Sequence, residues 1–129
     1  MSYAIELILL RQLASYLATP VFVVDVDGTL VYYNEGAEEL LGRRFEDTAE
    51  MPRDAWLAAF APRDSLGSPL PSERNPLLIA LAERREAHQA LTITGLDRQV
   101  RRIEATAFPI EGQDGRLVGA VSIFWEIPG

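Results

Sequence analysis

The chain has 129 residues and a formal net charge of −7, and it contains no cysteine. A chain of this length holds about one domain, and its negative charge disfavours contact with nucleic-acid phosphates. The lack of cysteine excludes disulfides, thiolate metal sites, thiol catalysis and a cysteinyl flavin adduct. No apolar run approaches the roughly 20 residues of a membrane helix, and no signal peptide is recognisable. The sequence therefore predicts a cytoplasmic protein without nucleic-acid or membrane partners.

Residues 1–19 have the pattern of an amphipathic helix. At about 100° per residue, the apolar side chains cover close to half of its circumference. Such a stripe is wider than one docking face requires, and an exposed apolar helix is a liability. We therefore expect one side to cap the chain's own domain and the other to pair with a second copy. The residues assigned to this homodimer interface are Ile5, Leu9, Leu10, Leu13, Tyr16 and Leu17.

Residues 21–42 combine two strands, a turn and a helix in a short segment. Residues 21–24 are β-branched or aromatic, Asp27-Gly28 indicates a turn with positive φ, and residues 30–33 resume the strand pattern. Asn34 stands at the N-cap position of a short helix, and Gly42 follows that helix at its C′ position. The predicted order is strand, turn, strand, helix.

The remaining chain changes from helical to strand-like character. Residues 43–72 predict short helices and loops, with an amphipathic patch around Trp56. Asn75 and Pro76 indicate the start of a helix over residues 76–85. Residues 90–94, 100–110 and 117–127 then predict an antiparallel meander. In its second strand, Ile103, Ala105 and Ala107 share one face, and the small alanines leave room above the sheet.

Asp25 and Asp27 lie in an apolar-D-x-D-G-T sequence. This resembles the first motif of haloacid dehalogenase-like phosphatases, in which Asp25 would be the nucleophile and Asp27 the general acid/base. The later motifs of that family cannot be placed, because the chain has no lysine and neither a Gly-Asp-x-x-x-Asp sequence nor an Asp-Asp pair to hold Mg²⁺. Its last third also predicts hairpins rather than the crossovers of a parallel sheet. A phosphatase is the alternative function, and a role of both aspartates in shaping the turn is the simpler interpretation.

A second resemblance covers nearly the whole chain. It includes residues 20–42, Trp56, the G-x-P-L-P-x-x-x-x-P-L run of residues 67–77, and the F-P-I, D-G-R and G-A-V sequences of the last hairpin. In their order and spacing these pieces resemble a PAS (Per-ARNT-Sim) sensor domain. The resemblance implies an α+β fold with a five-stranded antiparallel sheet of order 2-1-5-4-3, helices on one face and a flanking N-terminal helix. Residues 1–19 would be the dimerisation helix or cap, and residues 20–129 the sensor.

The same resemblance implies a module that binds a small molecule or mediates dimerisation and is not an enzyme. Pro128 blocks helical continuation after the last strand, so the output would pass to a separate kinase, phosphatase or transcription regulator. The cofactor is unknown, and none can be assigned. The chain has no cysteine for a flavin adduct, and its only histidine, His88, falls just past the predicted helix and is not expected to bind haem. A purely structural dimerisation domain with a filled core is a further alternative. The expected pocket residues are Tyr32, Tyr33, Trp56, Phe60, Leu77, Leu81, Ile103, Ala105, Ala107 and Ile123.

Overall fold

The computed structural model describes residues 4–128 and contains one five-stranded sheet with five α-helices. The helices are α1 (Ile5–Ala14), α2 (Glu35–Leu41), α3 (Phe45–Thr48), α4 (Arg53–Phe60) and α5 (Pro76–Glu83). The strands are β1 (Val21–Asp25), β2 (Leu30–Tyr33), β3 (Ala87–Thr94), β4 (Val100–Glu111) and β5 (Leu117–Glu126). Every neighbouring pair is antiparallel and the order is β2-β1-β5-β4-β3. The predicted fold class and strand order are confirmed.

The sheet buries apolar side chains on both faces, and each face has its own core. Between the sheet and α2 to α5 lies the inner core, which includes Phe22, Leu30, Trp56, Leu77, Ile103 and Phe124. Between the sheet and α1 lies the outer core, which includes Leu7, Ala14, Val21, Val23, Val31 and Val121. Because both faces are covered, β1 and the middle of β5 are apolar at nearly every position, as expected for central strands.

The turn between β1 and β2 is built by Asp25 and Gly28. The Oδ1 of Asp25 accepts hydrogen bonds from the backbone N–H groups of Asp27 (2.9 Å) and Thr29 (3.0 Å). Gly28 has the predicted positive φ, +86°, and a Cβ there would clash with Nε of Arg53. Trp56 of α4 donates from its indole nitrogen to the carbonyl of Gly28 at 2.8 Å, so the turn also positions the indole ring.

Helix α1 is shorter than predicted, since it ends at Ala14 rather than near residue 19. Tyr16 and Leu17 therefore lie beyond the helix, in a turn closed by bonds from their N–H groups to the carbonyls of Leu13 and Ala14. The chain must turn here to enter β1, and the side chain of Asn34 fixes this linker. Its Nδ2 lies within 3.1 Å of three carbonyl oxygens, those of Ala14, Leu17 and Thr19. The first three residues of the predicted helix lie outside the described residues.

Other predicted boundaries shift by a few residues. The first strand of the meander begins at Ala87 rather than at residue 90. Helix α5 ends at Glu83, because Arg84 adopts the left-handed conformation with φ 54°. Asn34 and Asn75 cap α2 and α5 as predicted, and Gly42 closes α2 with φ 80°. Among the described residues, no helix is both long and apolar enough to span a bilayer.

Candidate ligand site

An apolar cavity of about 70 Å³ lies in the inner core, between the sheet and helices α4 and α5. We call it the inner cavity. Its lining residues are Phe22, Leu41, Trp56, Phe60, Pro62, Asn75, Pro76, Leu77, Leu91, Ile93, Ile103, Ala105, Ser122 and Phe124. None of them is charged. Ligand pockets typically measure about 300 Å³ or more, so this hollow accepts only a compact molecule unless the helices move.

Aromatic rings form one wall of the inner cavity. The ring of Phe22 meets those of Trp56 and Phe60 edge to face, with centroids 5.3 and 6.2 Å apart. It also stacks on the ring of Tyr33 at 6.2 Å. Such packing holds the side chains of β1 and α4 in defined orientations. The lining also includes the small side chain of Ala105 on β4, which occupies little of the space beside the rings.

Two polar side chains, Asn75 and Ser122, also line this cavity. Both are buried, each with 5% of its surface exposed. Asn75 caps α5, and its Oδ1 accepts hydrogen bonds from the N–H groups of Leu77 (3.1 Å) and Leu78 (3.5 Å). Ser122 lies in the middle of β5, opposite Phe22 on one side and Ala107 on the other.

A second cavity of about 250 Å³ lies on the other side of Asn75, among α4, α5 and the loop of residues 61–75. We call it the loop cavity. Its lining includes Leu57, Ala61, Arg63, Leu70, Ser72 and Leu78. Pro62 and Asn75 line both cavities, so these two residues form part of the wall between them.

Comparison with known proteins agrees with this architecture. A family model described as "PAS fold" matches residues 17–128. The chain belongs to the PAS fold family. No curated protein matches it.

Solved structures of PAS domains share the fold at low sequence identity. The PAS domain of BvgS from Bordetella pertussis is 17% identical with a TM-score of 0.64, and the match covers 96% of this chain and 87% of that one. The PAS domain of nitrogen regulation protein NR(II) from Vibrio parahaemolyticus is 19% identical with a TM-score of 0.64, covering 92% and 98%. The Rhodobacter sphaeroides LOV protein is 14% identical with a TM-score of 0.73, covering 97% and 69%. At these identities the likeness shows the fold alone.

The structure brings most of the predicted pocket residues together in the inner core of this PAS fold. Five of them line the inner cavity: Trp56, Phe60, Leu77, Ile103 and Ala105. Tyr33, Leu81 and Ala107 belong to the inner core but do not line the cavity. Binding of a ligand by any of them stays a prediction.

The placement of Ile123 and Tyr32 in the pocket is wrong, because both side chains belong to the outer core beneath α1. Successive side chains of a strand point to opposite faces, and it is Ser122 and Phe124 that face the helices. Sequence reasoning missed Ser122 and Asn75 as cavity residues. The one signal available was a lone serine within the apolar run of β5.

His88 lies on the face of the sheet opposite the inner cavity. It stands on β3 directly across from Thr106, and its Nδ1 is 2.8 Å from the hydroxyl of that residue. Its Nε2 is 3.8 Å from a carboxylate oxygen of Glu104. Its neighbour Ala87 belongs to the inner core, so the imidazole points away from the cavity and is exposed.

The fold does not support the phosphatase alternative. That reading requires parallel strands joined by helical crossovers, whereas all strand pairs within residues 4–128 are antiparallel. Asp25 is bound to two backbone N–H groups of the turn, which is the structural role that the sequence indicated. Asp27 is exposed at the tip of the same turn.

Helix α1 has two apolar faces, and only one of them is covered. Leu7 and Ala14 are buried against the sheet, and Leu10 is half-buried beside them. Arg11 lies over the ring of Tyr32, with its guanidinium carbon 5.3 Å from the ring centroid. The opposite face is exposed. Of the residues predicted for the dimer interface, the exposed ones are Ile5 (65%), Leu9 (56%), Leu13 (56%), Tyr16 (77%) and Leu17 (42%).

Proposed function

We propose that this chain is a sensory and dimerisation module whose inner cavity binds a small molecule. A second copy of the chain would pair on the exposed face of α1, and the pair would regulate a separate output protein such as a kinase, phosphatase or transcription regulator. The observation that carries the sensory role is the inner cavity itself. It is a hollow in the inner core, lined by small Ala105 together with the aromatic rings of Trp56 and Phe60.

Native cores are close-packed, and voids larger than a water molecule are few in each domain. A hollow of about 70 Å³ lined by side chains of β1, β4, β5, α4 and α5 is therefore a costly feature. A ligand that fills the space offers a reason for its presence, because binding only to the folded state stabilises that state.

A pair of substitutions on β4 tests whether the inner cavity has room for a larger side chain. Ala105 lines the inner cavity, whereas Ala107 is fully buried two residues away on the same face and does not line it. Ala105→Leu extends into empty space, so we expect an unchanged or higher free energy of unfolding. Ala107→Leu overpacks a filled site and should lower that free energy by about 1–3 kcal/mol. Urea denaturation of both variants beside the wild type measures the difference.

Equal losses in the two variants would mean that the inner core is solid. Ligand sensing would then be the wrong function, and a structural dimerisation domain with a filled core would be the better description. A native mass spectrum of the protein purified from its own host tests the ligand directly. A bound small molecule that is absent from the Ala105→Leu variant would support the proposal.

Membership of the PAS fold family, rather than a site among the described residues, supports the proposed output through a partner. One domain with the same fold belongs to a protein named as a nitrogen regulation protein, which is the kind of role that we propose here. The exposed face of α1 is the surface that would transmit a change in the core, because α1 packs on β1, β2 and β5. Two of these strands, β1 and β5, also supply the cavity residues Phe22, Ser122 and Phe124.

A further inference from the structure

Within residues 4–128, the buried polar side chains without an aromatic ring are Asn34, Asn75 and Ser122. Buried polar groups are normally hydrogen-bonded, and an exception needs an explanation. Both polar atoms of Asn34 have partners. The other two residues line the inner cavity, and their hydrogen bonds are incomplete.

The oxygen of the Asn75 amide is used to cap α5, but its Nδ2 has no hydrogen-bond partner among the described residues. The hydroxyl of Ser122 likewise has none in that part of the chain. Both atoms still reach open space. Among the buried side-chain nitrogen and oxygen atoms of residues 4–128, only Arg53 Nε lacks both a hydrogen-bond partner and such access. The third polar group of the lining, the indole N–H of Trp56, is already bound to the carbonyl of Gly28 at 2.8 Å.

The chemistry of this lining restricts what it can hold. A charged ligand would have to leave water without an opposite charge to meet it, because no lining residue is charged, and such a transfer is strongly unfavourable. A hydrocarbon would fill the space but leave the Asn75 amide and the Ser122 hydroxyl without partners, which is also unfavourable. A neutral molecule with an apolar body and an oxygen atom satisfies both requirements.

We propose that the inner cavity binds a compact neutral molecule with one carbonyl or hydroxyl oxygen, held by Asn75 Nδ2 and Ser122 Oγ. This inference rests on the proposed ligand-sensing function and names the chemistry of its ligand. The Asn75 amide donates to the ligand oxygen, and the Ser122 hydroxyl donates to it or accepts from it. The rings of Phe22, Trp56 and Phe60 contact the apolar body. The inference does not depend on Asn75 alone, because Ser122 lines the inner cavity only.

The test compares two probes of the same shape, acetone and 2-methylpropene, which differ by an oxygen in place of a CH₂ group and are compact enough for a cavity of about 70 Å³. Their dissociation constants are measured by NMR titration of the isotope-labelled wild type and of Ser122→Ala. We expect Ser122→Ala to weaken acetone binding about tenfold, the ratio that one hydrogen bond of about 1.4 kcal/mol gives. The hydrocarbon 2-methylpropene should bind both proteins within about twofold, because it makes no use of the hydroxyl.

Asn75→Ser provides a second variant. The serine hydroxyl still caps α5, whereas the amide donor is gone, so the same selective loss of acetone binding is expected. If both probes bind but neither variant separates them, the cavity takes apolar ligands and the assignment of Asn75 and Ser122 is wrong, while the sensory function stands. If neither probe shifts any resonance of the cavity residues, the assignment of Asn75 and Ser122 is wrong, and the comparison of Ala105→Leu with Ala107→Leu decides the sensory function separately.

Discussion

Asn34 does more than a helix cap requires. Its Oδ1 accepts from the N–H groups of Val21 (2.9 Å) and Ala37 (3.1 Å), so one atom joins the start of β1 to the start of α2. Its Nδ2 binds carbonyls of the linker that follows α1. The sequence predicts the cap, because Asn before an amphipathic run is a local signal. The contacts with residues 14–21 are long-range and have no local signal.

The two asparagine caps allow a matched comparison. Asn75→Ala removes a cap and should lower the free energy of unfolding by about 1 kcal/mol. Asn34→Ala removes a cap and also leaves several buried backbone groups without partners, each costing about 1–3 kcal/mol, so a loss of at least about 3 kcal/mol is expected. Urea denaturation with circular dichroism measures both. Equal losses would show that Asn34 acts only as a cap.

Tyr33 makes the free energy of unfolding depend on pH in the alkaline range. Its ring is fully buried and its hydroxyl donates to the carbonyl of Arg43 at 2.8 Å. Burial disfavours the phenolate and raises the pKa of Tyr33 above its ordinary value. Because the unfolded chain ionises first, near pH 10, the stabilisation is complete below that pH and is lost as the pH rises towards the pKa of the folded state.

Tyr33→Phe removes this titration. The variant should lose about 1 kcal/mol near neutral pH with the hydrogen bond, but its stability should fall less steeply than that of the wild type above pH 10. Part of the decline remains, since burial also raises the pKa of Tyr32. Urea denaturation at pH 8, 10 and 11 gives the two slopes. Parallel curves would assign the alkaline loss to other groups.

At the scale of elements, periodicity predicts the strands but not always their faces. In β4 the alternation of apolar residues with polar ones correctly places Ile103, Ala105 and Ala107 in the inner core. In β5 both faces are buried, so nearly every residue is apolar and the sequence does not show which side chains point to which face. The face of Ile123 therefore follows only from its pairing with Val21 and Thr106, which is tertiary information.

The volume of the inner cavity also lies beyond the sequence. Small side chains on β4 indicate room above the sheet, but how much room remains depends on the rings of α4 and β1 that enter it. Their positions follow from long-range contacts such as the 2.8 Å bond between Trp56 and Gly28. Five of the ten residues predicted for the pocket line the inner cavity, and the geometry that joins them needs the folded chain.

Helix α1 should show opposite responses on its two faces. Leu7 is 2% exposed and packs in the outer core, whereas Leu9 is 56% exposed. Leu7→Ala should lower the free energy of unfolding by about 2–5 kcal/mol, and Leu9→Ala should change it by no more than about 0.5 kcal/mol. The measurement is urea denaturation at a protein concentration where light scattering reports a monomer. A large loss in Leu9→Ala would mean that this face packs within the same molecule.

At the scale of the whole molecule, the exposed face of α1 is the largest feature that the fold leaves unexplained. Ile5, Leu9 and Leu13 recur at four-residue intervals along the helix and are mostly exposed, and Tyr16 is exposed in the turn that follows it. Each side chain of this kind contributes about 1.5–3 kcal/mol when it becomes fully buried. Leu10, which we also assigned to the interface, is half-buried against its own sheet, so it contributes less to pairing than predicted.

A symmetric pair of α1 helices about a two-fold axis buries this face against an identical one, which closes the surface without a further contact. We expect the wild type to be a homodimer at micromolar concentration, and Leu9→Glu or Leu13→Glu to be monomeric by light scattering. Leu66→Glu is the matched control, because Leu66 is 89% exposed in the loop between α4 and α5, away from α1, and should leave the dimer intact. A wild type that stays monomeric at high micromolar concentration would refute dimerisation, and α1 would then be a cap on its own sheet alone.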